Sequence, residues 1–132
     1  MNEVKYSTLN LKNYNSNFRH VKICCENNGS KFYLSLAKNL DNDEASAWYV
    51  TIIDDEITFF SYDKNYLDVG EDNENICLSK YMKIWKFAKK NDFYYFKYPT
   101  KKTNNILSIR NGILKVNQNK VGNMELFKLI DV

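Results

Sequence analysis

The chain is poor in the residues that carry most enzyme chemistry and most chain-bending. It has one histidine, His20, one proline, Pro99, and four glycines in 132 residues. A lone imidazole leaves no further Ser-His or Cys-His base pairing to assemble, and no glycine-rich phosphate loop is present. No apolar run approaches the roughly 18 residues of a membrane span, so a soluble globule is expected. The cysteines, Cys24, Cys25 and Cys77, are odd in number and lack metal-ligand spacing. Neighbours in a strand point to opposite faces, so Cys24 and Cys25 make no chelating pair. Reduced thiols of a cytosolic protein are the expectation, with no metal and no cofactor. Met1-Asn2-Glu3-Val4-Lys5 leads into an Asn-rich stretch without an apolar h-region, which predicts a cytoplasmic protein without a secretory signal. Asn28-Gly29-Ser30 matches a glycosylation sequon but reads equally as a turn.

What the chain does have is aromatic residues, at 15%, set in short alternating runs. Two such runs flank Asn111-Gly112, from Asn105 to Val116; this dipeptide most readily supplies the two positive φ angles of a tight hairpin. The layout recurs. Phe32-Tyr33-Leu34-Ser35-Leu36 precedes Ala47-Trp48-Tyr49-Val50, Asn65-Tyr66-Leu67-Asp68-Val69 precedes Ile84-Trp85-Lys86-Phe87, and Ile106-Leu107-Ser108-Ile109 precedes Leu126-Phe127-Lys128-Leu129. Leu34 to Leu67 is 33 residues and Leu67 to Leu107 is 40. A period near forty residues predicts three units, each with an apolar face it cannot bury alone. Leu34, Trp48, Leu67, Trp85, Leu107 and Phe127 are then the expected shared core.

Residues 1–17 read as a polar, loosely docked arm and 18–132 as one domain. Within it, strands are expected at Val21–Cys24, Lys31–Leu36 and Ala45–Ile53, and further on at Tyr81–Ala88, where Trp85 and Phe87 alternate. Leu40–Glu44 reads as a polar loop. About a dozen short strands without a persuasive helix predict a closed β architecture, because closure removes exposed edges. These units resemble those of the β-trefoil fold, and the third is similar to fascin-like and hisactophilin-like trefoils. The resemblance implies a non-enzymatic binding module, with actin binding as the fascin-like function. Ricin-type trefoil lectins carry Gln two residues before the repeat Trp; here those positions hold Ser46, Lys83 and Glu125. Hisactophilins are rich in histidine, and this chain is not.

Charge is unevenly placed. Residues 1–78 hold 7 Lys+Arg against 13 Asp+Glu, and residues 79–132 hold 12 against 3, which predicts distinct acidic and basic surface sectors. The basic sector comprises Lys80, Lys83, Lys86, Lys89, Lys90, Lys101 and Lys102, with Lys97 alongside. Interleaved with Tyr81, Trp85, Tyr94 and Tyr95, it suits an acidic polymer. Lysine in place of arginine argues against nucleic acid. Asp54-Asp55-Glu56 and Glu71-Asp72 lack the alternating spacing of a calcium loop and read as turn caps. The leading expectation is a protein partner, F-actin, bound through the lysines. A carbohydrate-binding trefoil outside the ricin type, and a protein-ligand or inhibitor trefoil, are the alternatives.

Overall fold

A computed structural model describes residues 18–35 and 46–132; the N-terminal arm, Leu36 and the Leu40–Glu44 loop lie outside the described residues. The fold is all-β and every strand pairing is antiparallel. Among the described residues eleven strands follow in order: β1 (Phe18–Asn27), β2 (Ser30–Tyr33), β3 (Ala47–Ile53), β4 (Glu56–Ser61), β5 (Tyr66–Val69), β6 (Ile76–Ser79), β7 (Trp85–Lys90), β8 (Phe93–Lys97), β9 (Ile106–Arg110), β10 (Ile113–Gln118) and β11 (Lys128–Asp131).

Turn chemistry sets the hairpins. Asn28-Gly29 joins β1 to β2 and Asn111-Gly112 joins β9 to β10, with φ of 54° and 83° in the first and 53° and 74° in the second. Positive φ at both central residues matches the right-handed twist of the flanking strands. Asp54 and Asn91, also at positive φ, turn β3 into β4 and β7 into β8. Alternation then decides which face is buried: along β4, Ile57, Phe59 and Ser61 point inward while Glu56, Thr58 and Phe60 are half-buried.

The pairings run β8-β7-β4-β3-β1-β11. Tyr94 of β8 and Phe127, just before β11, exchange both backbone hydrogen bonds at 2.8 Å, so pairing returns from β11 towards β8. Three hairpins branch from this set: the end of β1 with β2, β5 with β6, and β9 with β10. The Leu and aromatic positions of the repeats meet in one core, where Leu34, Trp48, Leu67, Trp85, Leu107 and Phe127 are at most 1% exposed. Trp48 Nε1 donates to the Leu34 carbonyl at 2.9 Å and Trp85 Nε1 to the Leu67 carbonyl at 3.0 Å. The same contact, repeated, ties each aromatic strand to its own hairpin. The Phe127 ring carries no N–H, and the third unit is held differently.

Three local expectations are corrected. The strand predicted over Tyr81–Ala88 starts only at Trp85, where pairing with Ile57 begins; before it Tyr81, Met82 and Ile84 are exposed, and the Tyr81 N–H bonds Ser79 Oγ at 3.1 Å. β1 runs well beyond Val21–Cys24 in both directions because it has three partners, β2, β3 and β11. β2 ends at Tyr33, although the Leu34 N–H still bonds the Ile23 carbonyl at 2.8 Å.

Candidate functional site

The lysines named from the sequence do not form one free set. Lys86, on β7 opposite Glu56 of β4, pairs with Glu56 at 3.1 Å and Asp55 at 3.4 Å, and the bond to Glu56 raises its ammonium pKa. These partners also relieve Lys86 of repulsion from Lys97, its cross-strand neighbour. Lys101 donates to the carbonyls of Asn73 at 2.6 Å and Val116 at 2.8 Å, joining the loop after β5 to β10. Lys80, Lys83 and Lys89 lie over the rings of Tyr81, Tyr98 and Tyr94 at 5.1, 4.6 and 5.1 Å. Lys90 and Lys102 are exposed. The acidic β3–β4 turn thus meets the basic strand β7.

The second acidic loop is tied to its own backbone. Asp72 Oδ1 accepts the N–H groups of Glu74 at 3.0 Å and Asn75 at 2.9 Å, and these bonds lower its carboxyl pKa. Among the described residues no three His, Cys, Asp or Glu side chains converge as a metal site. Burial pushes the Cys25 thiol up to about 11 and raises Cys24 and Cys77, so none is a ready thiolate near neutral pH. His20 is exposed and stacked on Tyr49 at 4.4 Å.

Tyr98 is 7% exposed, packs edge-on against Trp85 and donates its O–H to Asp68 Oδ1 at 2.7 Å. Burial, with the Asp68 bond second, pushes its phenol up from 10 to about 12. The folded state therefore holds this proton more tightly than the unfolded chain. Tyr98's contribution is complete below pH 10 and is lost as pH rises through about 12. Tyr98→Phe should cost roughly 1–2 kcal/mol at pH 7 and should lose less stability than the wild type between pH 10 and 12, as read by urea unfolding at each pH.

A polar cleft opens on the third repeat's hairpin. Its volume is about 210 Å³ and it is lined by Ser108, Arg110, Asn111, Ile113, Lys115 and Asn117. β9 and β10 pair Ser108 with Lys115 and Arg110 with Ile113, so alternate residues of both strands line one face. Behind the cleft lies a charge the sequence reading missed. Glu125 is fully buried and accepts the Ser108 hydroxyl at 2.6 Å, the Gly122 N–H at 2.9 Å and Arg110 Nη2 at 3.0 and 3.2 Å. Arg110 Nε also donates to Ser108 Oγ at 3.2 Å. This fixes the guanidinium and holds the 3₁₀ turn Asn123–Glu125. The signal available was slight: Glu125 stands two residues before Phe127, where the first and second units also hold polar residues, Ser46 and Lys83.

No protein-family model and no curated protein sequence matches the chain. A solved structure does: GlcNAcα1-4Gal releasing endo-β-galactosidase from Clostridium perfringens, with a TM-score of 0.71 at 17% identity. The two share a fold. The match covers 86% of this chain and 32% of that one, so the chain spans about a third of the enzyme's length. At this identity the likeness is one of architecture alone.

Proposed function

We propose that this chain is a non-enzymatic β-trefoil module that binds glycan through the β9–β10 cleft. The trefoil reading is supported by the pairing order that returns from β11 to β8 through Phe127 and Tyr94. It is also supported by the three branching hairpins and by the repeated Trp-to-Leu hydrogen bond. The binding reading is carried by the cleft. It is a concave site of hydrogen-bonding side chains on a rigid hairpin, with its arginine held in place from behind. The shared fold with part of a glycan-cleaving enzyme is consistent with a sugar ligand. The site differs from the ricin type, because the position of the repeat Gln is filled by the buried Glu125.

F-actin stands second. Its support is the fascin-like resemblance and the exposed Lys80, Lys89 and Lys90; Lys86 and Lys101 are already engaged within the fold. A glycan array probed at physiological salt separates the two. Discrete sugar hits support the glycan module. A blank array, with co-sedimentation on actin filaments at the same salt, would replace it with the cytoskeletal reading.

A further inference from the structure

We infer that the β9–β10 cleft selects sugars bearing a carboxylate or sulfate group, an inference that rests on the glycan reading above. The lining decides the ligand's charge. It holds two cations, Arg110 and Lys115, three neutral hydrogen-bonding residues, Ser108, Asn111 and Asn117, and one apolar side chain, Ile113. Among the described residues no aromatic ring and no carboxylate line it. A neutral sugar exchanges hydrogen bonds with water for similar ones with protein, for little net gain. Such ligands rely on apolar and aromatic walls for affinity, and here Ile113 is the one apolar wall. An acidic sugar gains from charge-assisted bonds, which are roughly twice as strong as neutral ones.

The arginine is arranged for that task. Its Nε and Nη2 are turned to Ser108 and Glu125, which leaves the two Nη1 N–H groups without a partner among the described residues. The guanidinium side chain is 52% exposed, whereas the Glu125 side chain is 1% exposed. The anion therefore lies behind the arginine, away from the cleft, and its oxygens are occupied by Ser108, Gly122 and Arg110. Lys115 stands across the hairpin from Ser108. It also acts on the Asp72 carboxylate, whose Oδ1 is already held by two backbone N–H groups. Glu125 is thus a positioning residue, and Arg110 and Lys115 are the proposed ligand contacts.

The test is calorimetric titration of the full chain with 3′-sialyllactose, 3′-sulfolactose and lactose at low and physiological salt. The acidic sugars should bind at least about tenfold more tightly than lactose, a difference of about 1.4 kcal/mol, and the margin should narrow as salt rises. Lys115→Gln, which leaves the Glu125 bonds untouched, should weaken the acidic sugars by about tenfold and so reduce their margin over lactose. Equal binding of acidic and neutral sugars, or lactose alone, overturns the acidic selectivity while the glycan reading stands. Acidic binding unaffected by Lys115→Gln overturns this cleft as the site. No binding by any of the three, in protein shown folded by circular dichroism, overturns both.

Discussion

Trp85→Ala is expected to lower stability by about 3–5 kcal/mol, against the 5–15 kcal/mol that a domain typically has in total. The indole is fully buried and meets Phe59 and Tyr98 edge-on at 5.9 and 5.1 Å. Removing it empties the centre of the core and also leaves the buried Leu67 carbonyl without its N–H donor. Both effects act in the same direction. Trp85→Phe separates them: it keeps most of the apolar ring and forfeits the hydrogen bond, and should cost roughly 1–3 kcal/mol. Urea unfolding with a common m-value reads the two losses directly. A loss under about 1 kcal/mol for the alanine variant would mean that the ring is not a central packing element.

The second large effect is expected at the buried charge. Glu125→Ala removes the acceptor of three donors, one of them the hydroxyl of Ser108, itself 1% exposed. Arg110→Ala does the converse and leaves a fully buried carboxylate without its cation. Each should cost about 3 kcal/mol, since breaking a buried ionic network from one side strands the other. That corresponds to a fall of roughly 10 °C in melting temperature. Glu125→Gln keeps an amide oxygen for the Gly122 N–H and an amide N–H for Ser108 but sets that N–H against Arg110 Nη2, so its cost should be smaller than that of the alanine variant, about 2 kcal/mol. If Glu125→Ala melted within a degree or two of wild type, the network would not be holding the hairpin.

Local chemistry was legible in the sequence wherever it was self-contained. Asn111-Gly112 announces its turn because few dipeptides tolerate positive φ twice, and Leu67 with Trp85 announces a core because both recur at repeat spacing. Lys86 shows the limit. Its spacing along the chain suggested an open basic stretch, yet its partners, Asp55 and Glu56, lie about thirty residues earlier and reach it only through the β4–β7 register. Tyr81 and Met82 were drawn into the strand by the alternation of Trp85 and Phe87 beyond them; among the described residues pairing in this segment begins only at Trp85, opposite Ile57 of β4.

The cleft was invisible for a related reason. Its lining alternates along two strands, so each strand's cleft-facing residues are interrupted in sequence by core residues such as Ile109, Leu114 and Val116. Glu125 belongs to a third segment, 15 residues from Arg110. In sequence Glu125 stands where the other two units hold Ser46 and Lys83, so a polar residue there gives no sign of a buried charge. In the fold it replaces the Trp-to-Leu hydrogen bond that the third unit lacks with a charged anchor for the hairpin.

The central claim, a sugar site on the third hairpin, is tested most directly by titrating the ¹⁵N-labelled chain with 3′-sialyllactose and following its amide resonances. Saturable shifts confined to residues 108–117 and the Gly122–Glu125 turn are the predicted result. Shifts centred instead on Lys80–Lys90, or none across the titration, would contradict it.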